Sequence, residues 1–355
     1  MGGEPVSIII PAFNQLEFCR QCVEMLLRTT TPPYKLILVD NGSTDGVGEY
    51  FDSVAGAGVI RAGENRGFAG GVNLGLERAE GHAVLLNSDT LTPTGWLDRL
   101  TAALESSSDI GLIGPMTNYA AGAQCIPNLV FDSMEGVEAY SRHLAETERG
   151  HVRDVPKLVG FCMMIRKDAR EKIGVFDEAF GIGNYEDDDY CMRAICAGYR
   201  VCIALDTFVF HYGSRTFAGM GITDEKWRDL RDSNERRFLD KWRDARPDSE
   251  AAMKSRRLAG RARSAARRGD LVGAANLYAQ AISAYPLDAQ NHNDVGAVLW
   301  HLNMRDTAIS YFKAALKLKP DYAEARENLR DAATAMGKLD EVADLLEDVE
   351  PRREH

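Results

Sequence analysis

Short apolar segments with strand character alternate with helical patterns over the first 113 residues, and this alternation limits the fold more than any other feature. The strand-like segments are 6–10, 36–39, 59–60, 83–86 and 110–113, with amphipathic patterns between them at 15–28, 68–79 and 95–106. Nearly continuous apolar strands separated by helices are typical of a parallel sheet covered on both faces. We therefore expect an α/β fold, continued by strands at 158–165, 200–204 and 207–211 and by a helix that ends near 197.

A second pattern begins near residue 255, where alanine becomes frequent and β-branched runs disappear. Pro286 and Pro320 lie 34 residues apart, and four further columns keep the same spacing: Gly269, Asn303, Gly337; Ala274, Ala308, Val342; Tyr278, Phe312, Leu346; and Ala281, Ala315, Val349. This spacing resembles tetratricopeptide repeats, in which small residues let paired helices approach closely. The sequence therefore predicts an α/β domain over 1–246 and about three helical repeats over 247–355, joined by a linker at 243–248.

Charge and composition exclude several classes of function. The net charge of −11 argues against nucleic-acid binding. No apolar run reaches the roughly 20 residues that span a bilayer, and the segment after Glu4 does not read as a secretory signal, so we predict a cytoplasmic protein. The arginines of 256–268 are interpreted as a solvated helix face, with contact to an anionic membrane or a partner as the minority alternative. Cys19 and Cys22 form a single C-x-x-C, which we interpret as buried thiols rather than a zinc site.

Polar residues at the ends of the first two strands favour a nucleotide site. Asp40 follows the second strand, and ligands of open α/β sheets bind beyond the carboxyl ends of strands. The glycines after Arg66 precede a helix, where close backbone approach and the helix dipole favour a diphosphate. The first strand leads into Pro11-Ala12-Phe13-Asn14 instead of a G-x-G-x-x-G motif, and no P-loop motif is present. These absences argue against a nicotinamide enzyme and against a P-loop NTPase.

Three further elements suggest metal and proton chemistry. Asp89 lies at a strand end, where one carboxylate could hold a divalent metal bridging two phosphates or could simply cap a turn. Residues 186–189 are four consecutive acids; mutual repulsion would raise the pKa of one toward that of a general base, although a helix start also favours negative charge. We expect Asp189 and Arg193 to have structural roles. His211 follows an apolar strand and is either a metal ligand or a satisfied core residue.

These segments, taken in order, resemble glycosyltransferase family 2, in the branch that contains rhamnosyltransferase-like enzymes of bacterial polysaccharide synthesis. The similarity covers roughly residues 5–240 and rests on SIIIPAFN, LILVDNGSTDG, ENRGFAGGVNLGL, LLNSDT, LVGFCMMIRKD, FDEAFGIGNYEDDDYCMR and FHYGS. The resemblance implies a GT-A fold, with a Rossmann-like nucleotide half joined to an acceptor half. It also implies inverting, metal-assisted transfer of a sugar from a UDP- or dTDP-sugar to a hydroxyl acceptor.

The same resemblance implies a role for each matching residue. The nucleotide-sugar donor would be bound by Pro11, Phe13, Asp40, Asn65, Arg66, Asn73, Asn87 and Ser88. A divalent metal, Mn²⁺ or Mg²⁺, would be held by Asp89 and His211, and Asp187 with Glu186 would form the catalytic-base motif. One departure concerns Asn87, which stands where the family's D-x-D motif has its first acid. A neutral side chain there contributes less charge to hold the metal.

Two alternatives remain open. The α/β domain could be a non-catalytic sugar-nucleotide scaffold, with the repeats as the working part; Asn87 favours this and Asp89, Asp187 and His211 argue against it. A nucleotidyltransferase shares the sheet architecture but usually has a glycine-rich, basic stretch after its first strand. No catalytic constellation follows residue 250, so we expect the repeats to present a protein acceptor or to form a homodimer. The acceptor would be a glycan or a protein.

Overall fold

The computed structural model of the protein describes residues 5–213, 223–242 and 250–346. The chain divides into two compact units between residues 235 and 236, inside the helix Asp224–Trp242. The linker expected at 243–248 and the domain boundary expected at 246 lie outside the described residues. No helix in these described ranges is both long and apolar enough to cross a membrane.

The first unit is built on an eight-stranded sheet. Its strands are β1 (Val6–Ala12), β2 (Tyr34–Asp40), β3 (Gly58–Arg61), β4 (Ala83–Leu86), β6 (Ile110–Met116), β7 (Val152–Asp154), β8 (Cys162–Ile165) and β9 (Arg200–Phe208). They are arranged in the order β3-β2-β1-β4-β8-β6-β9-β7. A separate two-stranded sheet pairs β5 (Thr90–Leu91) with β10 (Phe210–His211).

The sheet is mixed, so the expectation of a wholly parallel sheet was wrong. Strand β8 runs antiparallel to both β4 and β6, and β7 runs antiparallel to β9. The apolar run at 158–165 was expected to be a single strand, but only Cys162–Ile165 are in strand conformation. A strand buried on both faces has no alternation of side chains, so its apolar pattern does not reveal the direction in which it runs.

Seven helices of this unit follow or cover the sheet: α1 (Leu16–Thr29), α2 (Val47–Asp52), α3 (Gly67–Leu76), α4 (Trp96–Glu105), α5 (Met134–Thr147), α6 (Lys167–Ile173) and α7 (Glu186–Cys196). The helices expected at 15–28, 68–79 and 95–106 correspond to α1, α3 and α4. Helices α2 and α6 have six and seven residues, which is too short for a clear helical period. The core packs side chains of β1, β2, β4 and β6 against α1 and α4.

Two glycines bring the loops at the strand ends together. Gly42 has φ +84°, and a Cβ there would lie 2.5 Å from the carbonyl carbon of Glu64. Gly67, at the start of α3, has φ +72°, and a Cβ there would lie 2.1 Å from the carbonyl oxygen of Gly181. Only glycine allows such contacts, so the loops after β2, before α3 and before α7 are held close to one another.

The second unit is helical throughout its described part. After the helix Asp224–Trp242 the chain forms helices Glu250–Arg267, Leu271–Ala284, Ala289–His301, Arg305–Leu318, Ala323–Met336, Leu339–Val342 (a 3-10 helix) and Ala343–Leu346. Helices begin at Leu271, Arg305 and Leu339, which are 34 residues apart, as are the helix starts at Ala289 and Ala323. Gly269, Asn303 and Gly337 precede or join these helices with φ of +83°, +63° and +66°.

The repeated columns also agree with the packing. Ala274, Ala308 and Val342 are buried, as are Tyr278 and Phe312, whereas Val349 lies outside the described residues. A 34-residue structural period is therefore present, and its assignment as tetratricopeptide repeats stays a prediction. On the helix Glu250–Arg267 the basic run lies mainly at the surface: Arg256, Arg257, Arg261 and Arg267 are exposed.

Candidate functional site

A cavity of about 630 Å³ lies in the first unit, where the loops after β1 and β4 meet the start of α7. Its lining includes eight of the residues that the sequence proposed: Pro11, Phe13, Asn87, Ser88, Asp89, Glu186, Asp187 and His211. The proposed metal ligands and the proposed base therefore share one cavity, as a transferase site requires.

Four other proposed residues do not line this cavity. Asp40 is buried at the end of β2, where its Oδ1 accepts a hydrogen bond from the Ser43 amide at 2.8 Å. Its Oδ2 lies 3.3 Å from Nη1 of Arg61, which also pairs with Asp52. Asp40 thus has a structural partner for each oxygen in this structure, and its contact with a nucleoside stays a prediction.

Asn65, Arg66 and Asn73 shape the loop at the start of α3 rather than the cavity wall. Asn65 Oδ1 accepts from the Gly67 amide at 2.9 Å, and Nη2 of Arg66 lies 3.8 Å from a carboxylate oxygen of Glu178. The Asn73 side chain donates to the carbonyl of Phe176 and accepts from the amide of Phe176, at 3.0 and 2.8 Å. The three side chains therefore connect α3 to the segment before α7.

Asp89 and His211 are brought together by the small sheet. His211 pairs with Thr90 across β5 and β10, so its side chain lies beside that of Asp89. Nε2 of His211 lies 3.2 Å from Oδ1 of Asp89, and both side chains are almost fully buried. The pair lacks hydrogen-bond geometry despite the short distance, so we describe it as a close contact of two ligand-type atoms.

The surroundings of His211 determine which ring nitrogen carries its proton. Nδ1 lies 2.8 Å from the carbonyl oxygen of Tyr119, which can only accept, so Nδ1 is the donor. The ring stacks on Phe161, with centroids 5.0 Å apart. In the neutral ring, Nε2 then presents a lone pair toward Asp89. Orientation of a ligating histidine by a carbonyl on its other nitrogen is common in metal sites.

These residues fit a divalent metal in part. An imidazole nitrogen and a carboxylate oxygen that face each other, both buried and without a hydrogen bond between them, form a favourable donor set for a cation. Among the described residues no group of three or more His, Cys, Asp and Glu side chains could hold a metal. Further ligands would have to be oxygens of a diphosphate or of water, as Mg²⁺ and Mn²⁺ usually accept.

The four acids at the start of α7 have different environments. Oδ1 of Asp188 lies 2.7 Å from Nζ of Lys157, and Oδ2 of Asp189 lies 2.9 Å from Nε of Arg193. Asp189 is fully buried, in agreement with the structural role expected for it and for Arg193. The pairs leave Glu186 and Asp187 as the acids of this run that face the cavity without an ion pair among the described residues.

Asp187 is held by backbone donors. Oδ2 accepts from the Gly160 amide at 2.9 Å, and Oδ1 accepts from the Asp188 amide at 2.9 Å. Burial, and then the charge of Asp188, raise the pKa of Asp187 to about 6, while the cation of Lys157 opposes this rise. A carboxylate with such a pKa is ionised near neutral pH and is basic enough to accept a proton.

Glu186 is buried, with only 6% of its surface exposed. Its Oε2 has no hydrogen-bond partner in the structure, and the amide nitrogen Nδ2 of Asn184, two residues earlier, likewise has none. Burial, followed by the charge of Asp187, raises the pKa of Glu186 well above its ordinary value. Glu186 therefore tends to be a neutral acid at neutral pH.

The helix Asp224–Trp242 contributes residues that sequence reasoning missed. Trp227 and Arg231 line the cavity. Asn234, 3% exposed, donates through Nδ2 to the carbonyl oxygens of Phe180, Gly183 and Asn184 at 2.8, 2.9 and 3.2 Å. This helix is strongly charged and carries no motif, so no local signal marked these residues. Lys157 was missed for the same reason.

The comparison with protein families agrees with this geometry. The model of Glycosyl transferase family 2 matches residues 7–174. Glycosyltransferase AglE of Haloferax volcanii is 28% identical over 217 residues, which cover 58% of this chain and 66% of AglE. Glycosyltransferase GlyG of Streptococcus pneumoniae serotype 4 is 28% identical over 122 residues, which cover 33% of this chain and 40% of GlyG. The match spans less than two thirds of the length of either relative.

Solved structures share the fold at low identity. S. aureus TarS 1–349 in complex with UDP-GlcNAc has a TM-score of 0.52 at 16% identity, covering 94% of this chain and 92% of that chain. Mannosyltransferase PcManGT from Pyrobaculum calidifontis, in complex with GDP-Man and Mn²⁺, has a TM-score of 0.50 at 16% identity, covering 97% and 84%. Residues 7–174 therefore belong to glycosyl transferase family 2, in an α/β unit with the GT-A fold that is followed along the chain by a helical region.

Proposed function

We propose that this protein is an inverting glycosyltransferase that transfers a sugar from a nucleotide-diphosphate sugar to a hydroxyl group. One observation carries the proposal most directly: Asp187, with a pKa raised to about 6, shares a cavity with the Asp89–His211 pair. A base and a diphosphate-binding centre on one cavity are the two parts that this reaction needs.

The proposed step is a single displacement. The carboxylate of Asp187 accepts the proton of the acceptor hydroxyl, and the acceptor oxygen forms a bond to the anomeric carbon. The bond from that carbon to the diphosphate oxygen breaks, and the nucleoside diphosphate leaves with the electron pair. Attack from the side opposite the leaving group inverts the anomeric configuration.

Asp89 and His211 are the residues that would hold a divalent metal at the leaving group. When bound, such an ion neutralises the charge that develops on the diphosphate. The Tyr119 carbonyl and the Phe161 ring keep His211 in position for this role. Asn87 also lines the cavity, and as a neutral side chain it adds no charge to the donor set.

The choice of donor follows from the relatives only as a class. TarS and PcManGT are structural neighbours solved with UDP-GlcNAc and with GDP-Man and Mn²⁺, which supports a nucleotide-sugar donor and a divalent metal. We keep UDP- or dTDP-sugars as the proposed donors and the rhamnosyltransferase-like branch as the proposed subgroup. The acceptor is proposed to be a glycan or a protein, with the helical repeats of 247–355 presenting a protein acceptor or forming a homodimer. All seven cysteines are thiols, in keeping with the proposed cytoplasmic location.

A second candidate is a scaffold that binds a sugar nucleotide without turning it over. Asn87, in place of the first acid of the D-x-D motif, is the observation that favours it. A thermal-shift panel of UDP-, dTDP- and GDP-sugars with and without Mn²⁺, followed by measurement of donor consumption, separates the candidates. An active transferase is stabilised and consumes at least one donor, whereas the scaffold is stabilised and consumes none. A folded protein stabilised by no donor would contradict both.

A further inference from the structure

Two buried polar atoms face the cavity from the segment that leads into α7. They are Nδ2 of Asn184 and Oε2 of Glu186, and neither has a hydrogen-bond partner in the structure. Both residues line the cavity. Buried polar groups are almost always paired, because an unpaired one costs about 1–3 kcal/mol. A ligand that supplies the missing partners would offset this cost.

The backbone holds these two side chains in place at a conformational cost. Gly183, Asn184 and Tyr185 have φ of +150°, +74° and +72° in succession. Positive φ is uncommon for residues other than glycine, and such strain persists only where neighbouring contacts enforce it. Asn234 supplies those contacts, since its amide donates to the carbonyls of both Gly183 and Asn184.

The chemistry of the two atoms selects the group that they can bind. Nδ2 of Asn184 donates a hydrogen bond, and the carboxyl of Glu186 can accept one or, when protonated, donate one. An anionic group would meet the charge of Asp187 next to Glu186, while the cation of Lys157 is already engaged by Asp188 at 2.7 Å. A neutral hydroxyl, which accepts from one partner and donates to the other, satisfies both atoms.

The position of this segment indicates which substrate brings the hydroxyl. The Phe68 amide, at the start of α3, donates to the carbonyl of Ile182 at 3.1 Å. Gly67 approaches Gly181 so closely that a Cβ would lie 2.1 Å from its carbonyl oxygen. The segment therefore lies against the helix start that favours a diphosphate, within reach of the sugar attached to that diphosphate.

We propose that Asn184 and Glu186 form a subsite that binds a hydroxyl group on the sugar ring of the donor. The proposal rests on the proposed function, since it assigns part of the same cavity to the sugar rather than to the nucleotide. It also separates two roles within the acidic run: Asp187 accepts the proton, and Glu186 recognises the sugar.

Isothermal titration of the full-length protein with Mn²⁺ tests this assignment. The probes are UDP with UDP-glucose and UDP-N-acetylglucosamine, and dTDP with dTDP-glucose. For each pair the ratio of the Kd of the free nucleotide to the Kd of its sugar form measures the contribution of the sugar. In Asn184→Gly, which keeps the positive φ, and in Glu186→Leu we expect this ratio to fall about 10-fold, with nucleotide affinity unchanged. Glu186→Gln keeps hydrogen-bonding capacity and should stay close to wild type.

Asn128→Gly is the matched control, because Asn128 also has a positive φ of +60° but is exposed and does not line the cavity. Unchanged nucleotide affinity shows that a variant is folded, and Asn184→Gly decides the question if Glu186→Leu is unstable. A ratio that stays at the wild-type value in Asn184→Gly would overturn the subsite, even if transfer to an acceptor is impaired. Absence of any nucleotide or sugar-nucleotide binding by the wild type would instead contradict the proposed function.

Discussion

Nζ of Lys157 lies 2.7 Å from Oδ1 of Asp188, and this ion pair separates the roles of two adjacent carboxylates. Asp188 is neutralised by the lysine, whereas Asp187 accepts only backbone hydrogen bonds and faces the cavity. The strength of Asp187 as a base therefore depends on the distribution of charge around it and not on its own contacts alone.

Replacing the lysine should shift the pH dependence of turnover. The Lys157 cation lowers the pKa of Asp187, so Lys157→Met should raise it above its value of about 6. Since the ionised form of Asp187 is the active base, the acidic limb of kcat/KM should move to higher pH. The loss of rate should be largest near pH 6 and should shrink as the pH rises. Lys35→Met removes an ion pair of the same 2.7 Å length, with Glu80, outside the cavity lining and should leave the limb in place. Equal limbs in both variants would contradict the account.

The metal assignment predicts a specific loss in His211→Phe. This change keeps a ring to stack on Phe161 but removes the nitrogen that faces Asp89. Mn²⁺ affinity in the presence of UDP, measured by electron paramagnetic resonance, should fall at least 10-fold, and Asp89→Asn should behave alike. His151→Phe, at an exposed histidine, is the control. Wild-type turnover that persists undiminished in excess EDTA would show that no metal is needed.

Asn234 is predicted to be a positioning residue for the start of α7. Asn234→Asp keeps the shape of the side chain but removes the amide that donates to three carbonyls. We expect kcat to fall about 10-fold while the Kd of the nucleotide is unchanged, because misplacing a base by a fraction of an ångström slows proton transfer. Asn291→Asp changes an equally buried amide in the helical unit, which donates to Ser255. If both variants lose stability and neither loses kcat, Asn234 has only a structural role.

Truncation tests the division of labour along the chain. A chain that ends at residue 246 should fold and bind its nucleotide, because it keeps Trp227, Arg231 and Asn234. A chain that ends at residue 223 should lose turnover, because those side chains are missing. Sedimentation and activity on the full-size acceptor then separate the two roles proposed for the repeats. A chain ending at 246 with unchanged oligomeric state and unchanged acceptor activity would leave the repeats without either role.

Much of the fold could be predicted because it depends on local patterns. The strands β1, β2 and β4 are short apolar runs, and the helix turns at Gly269, Asn303 and Gly337 follow a fixed period. The antiparallel direction of β8 could not be predicted, since it depends on the connection that precedes it rather than on its own residues. The residues of the cavity were predicted where a motif marks them, as for Asp89, Asp187 and His211.

The rest of the site depends on contacts between distant segments. Lys157 and Asn234 lie 31 and 47 residues from Asp188 and Asp187 in the chain, and neither belongs to a recognisable motif. The sorting of the acidic run into paired and unpaired carboxylates is therefore a property of the folded chain. Asp40 and Asn73 illustrate the opposite case, because their sequence context suggests a ligand site while the structure gives each of them partners from the protein.

The most direct test of the central claim compares Asp187→Asn with Asp188→Asn in turnover of the donor that the wild type consumes with Mn²⁺. Release of nucleoside diphosphate and the anomeric configuration of the product would be followed by NMR, and nucleotide affinity by titration. The account predicts an inverted product for the wild type, and a loss of turnover on the order of 10² or more for Asp187→Asn with its nucleotide affinity retained. Asp188→Asn should keep substantially more activity. An Asp187→Asn variant that turns over at the wild-type rate, with Asp188→Asn inactive, would contradict the assignment of the base.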